Sequence, residues 1–242
     1  AYIRRLSKEY KKTIVVSKAG HEYLYKDFCD EFYSIELPEN CNSDGWSCKG
    51  IDENYLLTQI SNIQYDYRFP AQNIGFSVNI NGRLGIENPN FYNQDFIRYK
   101  SNLITEYVDI LIHPRNRRVG EYRNWSLKKW QSLVERLSMR YTIGVIGSDE
   151  SFNIEGVHDF RNVSIEKTIA LMNHSRLVVG QSSGPMHLAS LCGTPHLVWS
   201  EELNRDRYEN FWNPFKTPVY FYSEMGWNPD INFIYEKIIK IL

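Results

Sequence analysis

The chain has 242 residues, of which 42% are hydrophobic and 24% charged, a balance that excludes wholesale disorder. Its 28 Lys+Arg against 29 Asp+Glu give a net charge of -1, so the basic excess of a duplex-nucleic-acid binder is missing and no nucleic-acid partner is expected. No apolar run nears the roughly 20 residues of a membrane span, and no integral membrane segment is expected.

In chain order, residues 1–10 read as a helix with Ile3, Leu6 and Tyr10 on one face. Residues 13–17 (TIVVS) are short and β-branched, a buried-strand pattern. Gly20 breaks the strand, residues 21–30 read as a helix with Leu24 and Phe28 on one face, and residues 32–37 as a second strand ended by Pro38. Alternating helices and strands predict a parallel α/β layer. Residues 39–50 are polar and turn-rich, 55–63 read as helical, and 65–99 are rich in Asn, Tyr, Phe and Gly with a strand expected at 74–78.

From residue 105 the pattern is clearer. Residues 108–112 (VDILI) form a strand. Ser126 caps a helix to 138 whose stripe is Leu127, Trp130, Val134 and Leu137. A strand follows at 142–146. Ser164 caps a helix to 174 that carries Ile165, Ile169 and Met172. A strand at 177–179, a short helix at 185–192 between Pro185 and Gly193, and a strand at 196–199 come next. Residues 208–221 read as aromatic and irregular, and 231–242 as a terminal helix. Two domains are expected, 1–104 and 105–242.

Aromatic residues reach 14%, which points to large buried rings or a stacking site. The cysteines are Cys29, Cys41, Cys48 and Cys192. Cys41 and Cys48 are separated by six residues, too many for a CxxC knuckle, and no His pair adjoins them. Reduced thiols and no metal site are expected. The chain starts at Ala1 without a signal-peptide apolar region, and a cytoplasmic location is expected.

Three segments can carry chemistry, each after the carboxyl end of a strand, where parallel α/β layers bind ligands. In the first, Gln181-Ser182-Ser183-Gly184 leads into a helix whose N-terminus carries partial positive charge. Gly184 permits close approach, the Ser182 and Ser183 hydroxyls can meet anionic oxygens or cap the helix, and His187 lies in the first turn. This is either a phosphate site or a plain capped helix with a buried His. In the second, residues 113–125 hold Arg115, Arg117, Arg118 and Arg123 against one glutamate. Arginine forks suit diphosphate oxygens, and a solvated basic loop is the alternative. In the third, Gly147-Ser148-Asp149-Glu150 offers a carboxylate that could take ribose hydroxyls, or forms only a turn and a helix cap.

The segment from about 110 to 199 resembles the donor-binding half of the heptosyltransferase family, glycosyltransferase family 9. The resemblance is carried by Val179-Gly180-Gln181-Ser182-Ser183-Gly184-Pro185-Met186-His187-Leu188-Ala189-Ser190-Leu191-Cys192-Gly193-Thr194-Pro195, set against a pattern of roughly V-G-x-D-[ST]-G-P-M-H-L-A-x-A-x-G-x-P. The Arg-rich loop ending Asn124-Trp125, the Gly147–Glu150 turn and Asn162-Val163-Ser164 resemble further parts of that family. Serine stands at 182 where the family has aspartate.

The resemblance implies a GT-B fold: two Rossmann-like domains facing a cleft, with residues 1–104 on the acceptor side, lacking its initial strand, and 105–242 binding the donor. It implies an inverting, metal-independent transfer, without cofactor, from a nucleotide-diphosphate sugar to a glycan acceptor. Ser182, Ser183, Gly184 and His187 would sit by the diphosphate, with help from Arg115 or a neighbour such as Arg117 or Arg123, while Gly147 and Glu150 would lie by the ribose. The family's base-bearing loop would precede Ala1. An inverting transfer needs a group to take the acceptor proton, and His21 and Glu22, after the TIVVS strand, are the candidates, with Asp44 a further option. The other readings are a non-catalytic nucleotide-sugar or glycan-binding module with a degenerate GT-B fold, and a GT-B-like nucleotide-sugar epimerase.

Overall fold

The computed structural model describes residues 2–35, 57–66, 96–118 and 120–242. The chain divides into two compact units, Ala1–Asp95 and Phe96–Leu242, a division that falls before the boundary expected at 104. The expected polar loop at 39–50 with Asp44, the strand at 74–78, Cys41 and Cys48 all lie outside the described residues. Cys29 and Cys192 are free thiols.

In the first unit, α1 (Tyr2–Glu9) precedes β1 (Ile14–Lys18) and β2 (Glu31–Ile35), which pair in parallel with Ile14 opposite Glu31. The helix expected at 21–30 is corrected. A single 3-10 turn, Glu22–Leu24, is followed by further turns. The Tyr25 ring packs against two others, 5.9 Å from Phe28 and 6.0 Å from Phe32. Asp30 Oδ2 accepts the Thr13 N–H at 2.6 Å. These ties draw residues 19–30 into a compact crossover with no room for a full helix and two loops.

The second unit is built on a six-stranded, all-parallel sheet. Its strands are β3 (Ile110–His113), β4 (Ile143–Gly147), β5 (His158–Arg161), β6 (Leu177–Gln181), β7 (His196–Trp199) and β8 (Val219–Tyr222), in the spatial order β5-β4-β3-β6-β7-β8. All residues of β3, β6 and β7 are buried, as expected of strands covered on both faces. β5 and β8 correct the sequence reading, which leaves both as loop. They are the two edge strands and expose polar or tyrosine side chains, so neither shows a continuous apolar run.

Four helices cover the sheet: α2 (Leu127–Leu137), α3 (Ile165–Asn173), α4 (Gly184–Cys192) and α5 (Ile231–Ile241). Ser126, Ser164 and Asp230 cap α2, α3 and α5 through side-chain bonds to backbone N–H groups. On one face α2 and α5 pack against Ile110, Ile112, Val145, Leu177, Val179 and Leu197. Trp125, Trp130 and Trp199 lock this layer, with centroids 5.1 to 5.5 Å apart. Leu127, placed in the α2 stripe by periodicity, is 44% exposed, and Leu133 is buried in the core. On the other face α4 sits close over β6, because a Cβ on Gly180 would lie 2.8 Å from Met186 Sδ.

Within the second unit, Asn173 holds residues 99–101: its Nδ2 donates to Tyr99 O and Cys192 O while its Oδ1 accepts the Ser101 N–H. Among the described residues no helix is long and apolar enough to cross a membrane.

Because the three indoles share one fully buried cluster, Trp130→Ala is expected to cost about 3–5 kcal/mol of unfolding free energy. Leu127→Ala on the same helix should change it by less than about 0.5 kcal/mol. Urea unfolding of both variants checks this, and a Trp130→Ala chain as stable as the parent would mean that the cluster does not hold α2.

Candidate functional site

Numbered within the second unit, the strand order reads 3-2-1-4-5-6, and it reverses between β3 and β6. The crossover after β3 runs through α2 on one face, and that after β6 through α4 on the other. The loops leaving these neighbouring strands therefore part, and the crevice at their carboxyl ends is where open α/β sheets bind ligands.

On the β6 side, Ser183 precedes α4 in extended backbone (φ -165°, ψ 171°), and its side chain does not cap the helix. Its Oγ lies 2.9 Å from Gln181 O and 3.1 Å from Nδ1 of His113, at the end of β3. The switch point is thus stitched by one serine–histidine contact between strands. His113 is buried, and burial, with Arg117 and Arg115 adding to it, pushes its pKa down to about 3, so the imidazole is neutral.

The donors of this helix start are largely committed. Ser182 N–H bonds Trp199 O, Ser183 N–H bonds Tyr208 Oη, and the Met186 and His187 N–H groups turn back to Ser183 O. Pro185 has none. Gly184 is exposed, and its N–H has no acceptor among the described residues. His187 stacks on Tyr208 at 4.2 Å and meets Trp212 edge-on at 4.4 Å. Its Nδ1 is buried without a partner among the described residues.

The four arginines of the 113–125 loop have different situations. Arg115 is buried, and its Nη1 donates to Gly120 O and Asn124 Oδ1. Asn124 also binds the backbone N–H and carbonyl of Arg117. Gly120, at φ 65°, turns the chain between them. Arg115 thus shapes the loop, and Arg118 is exposed. Arg123 spans to the β6 side: its Nη2 donates to Ser182 O at 2.6 Å, and its guanidinium lies 4.4 Å over Trp227. Its Nε is buried with no partner among the described residues. A buried guanidinium donor left unpaired is the kind of group that a ligand oxygen satisfies.

The third loop follows β4. Gly147 has φ 141°, and a Cβ there would lie 2.2 Å from Ser151 Oγ. Gly147 O accepts the N–H of Asn162, itself at φ 58°. Glu150 is half-buried in the turn that follows. The structure therefore brings Arg123, Ser182, Ser183 and Gly184 together at the crevice, with His187 behind them and Gly147 and Glu150 on the neighbouring loop.

His21 and Glu22 belong to the first unit, after the carboxyl end of β1. His21 Nδ1 is 3.4 Å from Ser17 Oγ, and burial, then Lys18, lowers its pKa. Glu22 is exposed at the start of the 3-10 turn. Sequence reasoning missed two contributors, His113 and Tyr208. Tyr208 lies on a π-helical turn, Arg207–Phe211, inside the stretch read as irregular. Among the described residues no three His, Cys, Asp or Glu side chains form a group that could hold a metal ion.

The fold matches solved structures of sugar transferases. Over 99% of this chain and 92% of the other it is similar to E. coli ADP-heptose lipopolysaccharide heptosyltransferase II, at 12% identity and a TM-score of 0.59. It is also similar to the iron-containing dodecameric glycosyltransferase TibC from enterotoxigenic E. coli H10407, at 13% identity and a TM-score of 0.50, over 94% of this chain and 57% of that one. At such identities the likeness is one of fold. No family model matches the chain, and no curated protein matches its sequence.

The buried imidazoles make the second unit acid-labile. Burial holds His113 at about 3 and His196 at about 4, whereas both titrate near 6.5 when unfolded. The unfolded chain therefore binds their protons first, so stability is complete above about pH 6.5 and lost as pH falls toward 4. With His187, which burial also holds at about 3, these groups give a slope approaching about 4 kcal/mol per pH unit in that window. Urea unfolding from pH 7 to pH 5 measures it, and His113→Gln should remove about one proton of the uptake.

Proposed function

We propose that this protein is a glycosyltransferase that moves a sugar from a nucleotide-diphosphate sugar to a glycan acceptor, with inversion and without a metal ion, in a GT-B arrangement. The observation that carries the reading is the switch-point crevice, where the exposed Gly184 N–H at the start of α4, the Ser182 hydroxyl and the Arg123 guanidinium converge. A helix N-terminus beside an arginine favours a diphosphate. The fold likeness to heptosyltransferase II, whose name specifies ADP-heptose, supports the same reading and puts ADP-linked sugars first among the donors to test.

In this reaction an acceptor hydroxyl oxygen bonds to the anomeric carbon as the bond from that carbon to the diphosphate oxygen breaks. The leaving diphosphate keeps the electron pair. Arg123, the Gly184 N–H and the end of α4 stabilise the charge that develops on it. Arg115 and Arg117 keep their loop in shape around Asn124, and Glu150 takes the ribose hydroxyls. The acceptor proton passes to a base on the first unit. Burial lowers the His21 pKa and so keeps its imidazole ready to accept, and Glu22 is the second candidate.

Thermal unfolding with ADP, GDP, UDP, CDP and dTDP, with Mg²⁺ or with EDTA, tests the donor site. One of them, at about 100 times its dissociation constant, should add about 2.7 kcal/mol of stability, equally with and without the metal. Arg123→Ala should weaken that nucleotide about ten-fold or more. Absence of any shift in a cooperatively unfolding chain, or a shift that needs Mg²⁺, counts against the reading. Release of the nucleoside diphosphate from its sugar only when a glycan acceptor is added identifies the transferase. Binding without release leaves a nucleotide-sugar-binding module.

A further inference from the structure

Tyr208 is fully buried, its ring held between His187 at 4.2 Å and Phe221 at 5.6 Å. Its hydroxyl meets the ligand loop at two points. Oη accepts the Ser183 N–H at 3.2 Å and donates to Ser182 Oγ at 3.0 Å. The direction of the second bond follows from burial. Burial raises the phenol far above its ordinary value, so it keeps its proton. A buried O–H needs an acceptor, and Oη already faces an N–H donor on the Ser183 side. The phenolic proton therefore goes to Ser182 Oγ.

This leaves Ser182 with a particular polarity. Its N–H is bonded to Trp199 O, its carbonyl to Arg123 Nη2, and its Oγ lone pair to Tyr208. The hydroxyl proton has no acceptor among the described residues. Ser183 differs, because its Oγ lies between Gln181 O and His113 Nδ1. The Ser182 hydroxyl therefore keeps a proton to give, whereas the Ser183 hydroxyl already has both of its partners within the protein.

We infer that Tyr208 is a positioning residue that holds the Ser182 hydroxyl so that its free proton is donated to a phosphate oxygen of the diphosphate, alongside Arg123 and the Gly184 N–H. The inference rests on the donor-site reading and adds to it a residue that sets the direction in which Ser182 donates. Because Tyr208 touches the ligand only through Ser182, its effect should vanish when the Ser182 hydroxyl is removed.

A double-mutant cycle on the full chain tests this. The probe is whichever of ADP, GDP, UDP, CDP and dTDP stabilises the parent, with its nucleoside as control. Ser182→Ala should weaken the diphosphate about ten-fold. Tyr208→Phe keeps the ring and its stacking and should weaken it about three-fold or more. In the Ser182→Ala background, Tyr208→Phe should cause no further loss. The nucleoside should bind all variants alike. Parent-like diphosphate binding by Tyr208→Phe, or an equal loss in both backgrounds, overturns the inference while leaving the donor site standing. Equal weakening of the nucleoside also overturns it, because Tyr208 would then only hold the loop's shape. If no diphosphate binds the parent, the donor-site reading fails and takes this inference with it.

Discussion

A strand in a parallel sheet cannot hand the chain directly to its neighbour. It must send it over one face or the other, and where two adjacent strands send it to opposite faces, a gap opens between their loops. In the second unit that place is fixed by β3 and β6. The indoles of Trp125, Trp130 and Trp199 commit α2 and α5 to one face. Gly180, which admits Met186 to within van der Waals reach of the strand, commits α4 to the other. The crevice, the helix start that faces it and the arginine that crosses it all follow from this division of the layers.

What lines the crevice is held by neutral groups. His113 and Tyr208 are buried, and each is kept in its uncharged form by burial itself. They fix the positions of two serine hydroxyls. The cationic part is separate. Arg115 lies inside its own loop on Gly120 and Asn124, so the loop keeps one shape, and Arg123 carries a guanidinium across to Ser182. Neutral groups give geometry, and Arg123 brings a guanidinium to the same loop.

Much of this was legible in the sequence, and the illegible parts share a cause. Apolar runs reveal β3, β4, β6 and β7 because both faces of these strands are covered. The same criterion fails at β5, where Asp159 and Arg161 pair on an exposed edge, and at β8, which is rich in tyrosine. Capping serines and 3.6-residue spacing reveal α2 and α3, yet spacing alone put Leu127 in the core, where Leu133 sits instead. The Ser182–Gly184 loop and the arginine cluster are local patterns and could be read directly. His113 and Tyr208 could not be assigned to the site, since each meets Ser183 across a long stretch of chain that only the tertiary fold brings together. The π-helical turn under Tyr208 leaves no periodicity to find.

Serine at 182, where the motif it resembles carries aspartate, follows from the same network. A carboxylate at that position would accept the Tyr208 proton as the serine does, but it would have nothing to donate. It would also set a negative charge at the mouth of a helix start whose exposed Gly184 N–H is open to an anion. The hydroxyl satisfies the phenol equally well and turns a proton outward. With Arg123 already bonded to the carbonyl of the same residue and Trp199 O to its N–H, the hydroxyl is the group of Ser182 left to meet a ligand, and the buried bond from Tyr208 sets the direction in which its proton points.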